Sequence, residues 1–436
     1  MEPREVLTLD EIALSDLALW LRPIEEREGA FRTLRRERPI SFHEEPEIPE
    51  GLPFPRGPGF WAVTRHADVL EVSRNSETFC SGKGTSIGDL PEPFLEYFGN
   101  IINMDGERHA QLRGIISRGF TPRMIARAEE SVERAVGEIM SNVREKGECD
   151  FVTEIAARLP LVIICDMMGI PASQYDFVIE KSNAIIGVAG GDPEFVTDPA
   201  DMVPKILGAA SALNELCKEL AQQRRSNPTD DLVSALVNAE VNAEVNAEVE
   251  GQRISDEDLG SFFVLLAVAG NETTRNAISH GMKALCDYPE QREIWSRDFE
   301  GIAPTAVDEI IRWASPVLSF RRTATRDCEL RGQKIQAGEK VVLWYNSANR
   351  DEDVFDEPFR FDVRRTPNEH VAFGGPGPHH CLGAHLARRE VTIMFRELFR
   401  TLPDLEIVGQ PDRLQSNFVH GIKHMDCRFT PSGSSA

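Results

Sequence analysis

No stretch near the start of this chain is apolar for long enough to enter a membrane. MEPREVLTLDEIALSDLALW interrupts its leucines with acids, which excludes a secretory leader and a membrane anchor and makes a cytoplasmic protein the expectation. Positive charge is also in short supply. Lys and Arg number 48 against 71 Asp and Glu, a formal net charge of −23, which excludes wholesale binding to nucleic acid or an anionic bilayer but permits a local basic patch. Paired cysteines are missing as well. The eight (Cys80, Cys149, Cys165, Cys217, Cys286, Cys328, Cys381 and Cys427) include no CxxC spacing, which argues against a disulfide framework and a structural zinc site. Most are expected as reduced, buried thiols. No clean linker divides residues 1–436, so one domain with short flexible tails is expected.

What is present is an ordinary globular mixture, 41 % hydrophobic and 27 % charged, which can bury a large core. The Pro- and Gly-rich run EPEIPEGLPFPRGPG (45–59) reads as an extended surface connection, and FWAVTRHADVLEVSRN after it as a strand turning into a helix. From about Thr121 the pattern is mostly helical, broken at 169–174 and by a polar loop at 190–201. VNAEVNAEVNAE has a four-residue period that does not match a helix, and 237–250 is read as an exposed repeat insertion. The strongest helical signal is Ser255 to Leu285, capped by SDEDLG and apolar all round at FFVLLAVAG, as befits a helix crossing the core. Strands return across 329–351, with turns at Gly332 and Gly338. The fold class expected is mainly α with a small β component.

Four groups of residues carry chemistry. Cys381 lies in HVAFGGPGPHHCLGAHLARRE, where a glycine-rich loop opens into a helix. Free N–H groups and the dipole at a helix start favour a thiolate, a good axial ligand for iron. Gly377 and Gly383 are expected to leave room for a flat macrocycle. A zinc site from His379, His380, Cys381 and His385 lacks a distant ligand pair. Ala269-Gly270-Asn271-Glu272-Thr273-Thr274 sets polar residues inside the core helix, where apolar ones would be cheaper to bury. Glu309 and Arg312 stand three apart on one helix face, and His109 and Arg113 one turn apart on another.

Phe373, Gly377, His379, Cys381 and Gly383 resemble the cytochrome P450 signature, with Phe373 one residue further from the cysteine than in the commonest bacterial form. The resemblance runs from roughly Pro39 to His424. It implies the P450 fold, haem b ligated by Cys381, and monooxygenase activity on a hydrophobic small molecule with molecular oxygen. Thr273 and Glu272 resemble the family's acid–alcohol pair, which delivers protons so that O–O cleavage outruns peroxide release. Glu309 and Arg312 resemble its Glu-x-x-Arg, with Arg365 as third member, and His109, Arg113, Arg322 and His379 match its propionate ligands. No fused flavin or iron–sulfur domain is expected, and NAD(P)H electrons are expected through a separate ferredoxin and ferredoxin reductase. The proposed dock is the cysteine side, near Arg108, Arg113, Arg118, Arg123, Arg388 and Arg389. A monomer is expected.

CDMMGIP, LLAVAGNETTRNAI and NFVHGIKHM resemble the actinobacterial subgroup that hydroxylates methyl-branched lipids and sterol side chains. The implied reaction is attack on the terminal carbon, in a pocket of Ile101, Ile102, Phe263, Leu266, Ala267, Ala269, Val317, Leu318 and Phe418. The alternatives are a terpenoid or polyketide substrate, a haem-thiolate peroxygenase, or a gas sensor. The acid–alcohol pair speaks against the last two.

Overall fold

In the computed structural model, 54 % of the chain is helical and 11 % is in strands, the mainly α architecture that the periodicity predicts. The structure describes residues 1–48, 54–91, 94, 97–119, 122–189, 198–238 and 254–432. Most of the 190–201 loop and of the 237–250 repeat lies outside them, as do the side chains of Arg118 and Arg123.

Chain order runs α1 (Ile24–Glu37), β1 (Ile40–His43), β2 (Phe60–Val63), α2 (His66–Arg74), β3 (Phe79–Cys80), α3 (Gly106–Gly119) and α4 (Pro122–Val143). Then follow β4 (Glu148–Asp150), α5 (Arg158–Met168), α6 (Tyr175–Ala189), α7 (Met202–Ser226), α8 (Asp256–Asp287), α9 (Pro289–Arg297) and α10 (Phe299–Ala314). The last part comprises β5 (Ser319–Ala324), β6 (Cys328–Leu330), β7 (Gln333–Ile335), β8 (Lys340–Trp344), α11 (Ala384–Thr401), β9 (Glu406–Ile407), β10 (Asp412–Arg413), β11 (Ile422–His424) and β12 (Asp426–Arg428).

Helix α8 starts where its cap predicts. The Asp258 N–H donates to Ser255 Oγ at 3.0 Å, and Asp256, Glu257 and Asp258 put negative charge on the positive end of the dipole. Its first half, Leu259 to Ala267, packs into one hydrophobic cluster with residues of α3, α5 and α7. Its second half, Ala277 to Leu285, packs into another with residues of α4, α10 and α11. The polar residues 269–276 therefore sit where two cores meet. One sheet, ordered β1-β2-β8-β5-β3, has β2 and β8 parallel and its other neighbours antiparallel. A second, β4-β12-β9, gathers the C-terminal strands. Gly332 (φ +78) and Gly338 (φ +90) occupy the turns expected of them.

Candidate active site

The chain approaches Cys381 through left-handed backbone at Gly374 (φ +93), Gly375 (φ +69) and Gly377 (φ +150). The Cys381 N–H closes the loop by donating to the Phe373 carbonyl at 2.9 Å. A Cβ on Gly377 would stand 2.2 Å from the Ser73 carbonyl oxygen of α2. The bare Cα is therefore needed for contact with that backbone, which corrects the expectation that Gly377 makes room for a macrocycle. At Gly383 a Cβ would meet nothing within 4 Å. Cys381 alone among the eight cysteines is exposed, yet burial pushes its thiol pKa up, outweighing the Gly383 N–H, Arg113 and Arg388. The residue thus keeps open surface while protein crowds its sulfur. Helix α11 begins at Ala384 with Gly383 as its N-cap, so the N–H that bonds the sulfur belongs to the helix start, as the sequence suggested, although burial outweighs it.

Four basic candidates gather here. Helix α3 carries His109 and Arg113, and Arg113 Nη2 donates to the His380 carbonyl at 2.5 Å, tying the helix to the cysteine loop. The His109 and His379 rings are 4.3 Å apart, and the Nε2 of each is buried without a hydrogen-bond partner. The Asp105 carboxylate, 3.9 Å from His379 Nε2, already accepts the N–H groups of Ser81 and Gly82. Burial, then the charges of His379 and Arg113, hold the His109 pKa down to about 4. Buried Arg322 donates to the Arg321 carbonyl and contributes to lowering His379, after burial. The cluster is short of negative charge.

On α8, Thr273 Oγ1 donates to the Ala269 carbonyl at 2.9 Å. Ala269 is exposed although its helix crosses the core, and Leu266 keeps partial exposure. Leu265 and Val268, which sequence reasoning passed over, do so too; Leu265, Ala269 and Thr273 form one stripe at four-residue spacing. Phe263 and Ala267 are 1 % exposed and belong to the packed cluster. Two residues at about 100° each rotate Ala267 far from the open surface of the Ala269 stripe. Ile101 and Leu318 are likewise packed away, Leu318 beside Trp344 and the N-terminal segment. Ile102, Val317 and Phe418 retain open surface, Phe418 39 %.

Glu272 Oε1 accepts from Arg275 Nη2 at 2.5 Å and Asn276 Nδ2 at 2.9 Å, and Oε2 is buried without a partner. Glu390 on α11, also overlooked, is 2 % exposed and reaches the Thr274 hydroxyl. Burial pushes its pKa up to about 8. Its signal was a carboxylate beside Val391 and Met394 on the buried stripe of α11. Behind the loop, Glu309 is bound by Arg312 at 2.7 Å and 2.8 Å and by Arg365 Nε at 3.0 Å. Arg312 also donates to the Asn349 carbonyl, and Asn349 Oδ1 accepts the Val371 N–H at the root of the loop. The Phe373 ring lies 4.6 Å under the Arg388 guanidinium, which Asp308 holds.

This chain belongs to the cytochrome P450 family, whose profile matches residues 62–294 and 302–417. It is 47 % identical over 97 % of its length to the methyl-branched lipid omega-hydroxylase of Mycobacterium tuberculosis (strain ATCC 25618 / H37Rv), covering 95 % of that protein. It is 39 % identical to the steroid C26-monooxygenase of Mycolicibacterium smegmatis, covering 95 % of this chain and 92 % of the relative. Among solved structures, Mycobacterium marinum cytochrome P450 CYP268A2 in complex with pseudoionone superposes with a TM-score of 0.88 at 44 % identity, over 98 % of this chain and 100 % of that one.

The family and fold use haem, with electrons from separate redox partners. The residues present fit that group: a cysteine that keeps open surface, open space at Gly383, and two buried histidine nitrogens that have no hydrogen-bond partner among the described residues and suit carboxylates. Among the described residues no cluster of three or more His, Cys, Asp or Glu could hold a metal ion, and no helix is long and apolar enough to cross a membrane.

Proposed function

We propose that this P450 hydroxylates the terminal (omega) carbon of methyl-branched fatty lipids or sterol side chains, as a monomer taking NAD(P)H electrons through a ferredoxin. The observation that carries the reading is whole-length similarity to two kinds of relative, one named for omega-hydroxylation of methyl-branched lipids and one for oxidation at steroid C26. Bound at Cys381, haem supplies dioxygen activation and insertion of one oxygen atom into a C–H bond. His109, Arg113, Arg322 and His379 hold its propionates, Gly383 leaves it room, and Phe373 and Gly377 fix the loop. Glu309, Arg312 and Arg365 brace that loop from behind. Thr273 Oγ1 and Glu272 Oε2 hold and pass the protons the reaction consumes.

A terminal methyl C–H bond is stronger than the tertiary bond beside it, so position must overrule reactivity. Open surface at Leu266, Ala269, Ile102, Val317 and Phe418 binds the chain end-on, and the remote apolar part supplies the energy that holds the terminal carbon forward. Turnover of a phytanic-type acid and of cholest-4-en-3-one is expected to give mainly terminal alcohols; tertiary or mid-chain alcohols as the main products overturn the reading. A second reading, a branched terpenoid substrate, is favoured by the pseudoionone bound to the Mycobacterium marinum relative. Pseudoionone, assayed alongside, is then turned over faster than either lipid. The ligand assignment has its own test: Cys381→Ala abolishes the red-shifted Soret band of the reduced carbon monoxide complex, and persistence of that band sinks it.

A further inference from the structure

Two cysteines stand face to face far from the site described above. In the β4–β12 pair Cys149 lies directly opposite Cys427. The Phe151 N–H donates to the Met425 carbonyl at 2.8 Å and the Phe429 N–H to the Gly147 carbonyl at 2.9 Å. Hydrogen-bonded pairs alternate along an antiparallel ladder, so 149 and 427, midway between those two, form one as well. Cα atoms of such pairs stand about 5.5 Å apart, within the span of a disulfide. The two sulfurs are 3.5 Å apart.

We propose that Cys149 and Cys427 are a peroxide-oxidisable dithiol, a modification site that hydrogen peroxide converts to a disulfide across the C-terminal sheet. The two sulfurs are not equivalent. Cys427 is 1 % exposed, and its thiol has the Cys149 carbonyl (3.3 Å) and the Cys149 sulfur as acceptors. Half-buried Cys149 is reachable by a small oxidant. The bond from Cys427 holds the Cys149 pKa below the usual thiol range, and that bond, with burial, raises Cys427. Cys149 is therefore the attacking thiolate and Cys427 the resolving thiol.

The thiolate displaces hydroxide from peroxide and becomes a sulfenic acid; the Cys427 sulfur, losing its proton, then displaces hydroxide from it. Two thiols and one peroxide give one disulfide and two waters. Monooxygenase turnover that fails to couple oxygen reduction to product releases this same oxidant. The cross-link would join β12 to β4 across 278 residues. It would thereby fasten the strand that follows β11 and the segment bearing Phe418.

The test exposes full-length, haem-loaded protein to hydrogen peroxide and, separately, to diamide, which oxidises thiols without haem chemistry and so separates this proposal from the monooxygenase reading. Thiols counted in denaturant should fall from eight to six (8 − 2 = 6), with a Cys149–Cys427 peptide recovered after digestion. Under diamide Cys149→Ser and Cys427→Ser should each keep seven thiols (8 − 1 = 7). Under peroxide Cys427→Ser should accumulate a dimedone-trappable sulfenic acid at Cys149. An undiminished thiol count in the wild type, a cross-link between other cysteines, or Cys149 sulfinate without the cross-linked peptide each overturns the proposal.

Discussion

Two buried glutamates, each with an arginine three residues on, occupy α10 and α8, and their surroundings could hardly differ more. Glu309 and Arg312 are both 0 % exposed, and both Glu309 oxygens are in use: the Asp362 N–H, Asn368 and Arg365 join Arg312 as donors. Glu272, 3 % exposed, spends one oxygen on Arg275 and Asn276 and leaves the other without a partner, one residue from Thr273. A saturated buried carboxylate is a fixed strut, because any proton or partner change costs several bonds at once. A half-satisfied one stands ready to take a new partner.

If that contrast is right, Glu309→Ala should have the largest effect. It strands the buried Arg312 guanidinium and takes a carboxylate from half-buried Arg365, costing about 3–5 kcal/mol, read as a lower urea midpoint and a lower haem-to-protein ratio. An undisturbed midpoint would remove the distinction altogether. Thr273→Ala should keep fold and substrate binding but divert NAD(P)H into peroxide, slowing product formation on the order of 10²-fold; unchanged coupling breaks the role given to that face. Glu272→Gln should follow it more weakly, since the Arg275 bond also changes. Arg389, held by Glu129 at 3.0 Å beside the cysteine loop, offers a smaller effect. Arg389→Glu should slow ferredoxin-driven reduction about tenfold at low salt and less at high salt. A rate independent of salt would reject the dock. Of the other basic candidates, Arg108 is drawn to Asp258 at 2.7 Å, at the start of α8.

Glu390 sharpens the comparison with the smallest change per pH unit. Among the described residues it has no cationic partner, and burial raises its pKa to about 8, which favours the protonated form. The folded state then binds more protons than the unfolded one above the usual glutamate range. Stability is therefore full at acid pH and falls as pH rises toward 8, by roughly 1.4 kcal/mol per unit at most. Glu390→Gln should flatten that slope in urea titrations; a slope like the wild type's would assign it to another group.

Much of this was legible in the sequence, because it lies in local patterns. The α8 cap, the loop glycines, and the spacings of Glu309 with Arg312 and His109 with Arg113 each depend on neighbours a few residues away. What was not legible depends on chain that returns from far off. Helix α1 was passed over because its buried face includes Arg27, Glu28 and Arg35; the last two read as solvent-facing until their distant partners, Arg350 and Glu352, are known. The pocket candidates split for a related reason: apolarity marked Phe263 and Ala267 as well as Leu266 and Ala269, and only the rotation of the helix against its two clusters separates them. The role of Gly377 was misread because the atom that forbids a side chain belongs to Ser73.

That last contact also bears on how the protein is made. Ser73 leaves the ribosome early and Gly377 late, 377 − 73 = 304 residues apart. The loop that carries Cys381 is in place only when the last quarter of the chain has docked on the first. The cysteine loop can therefore take its place against α2 only after most of the chain has been made.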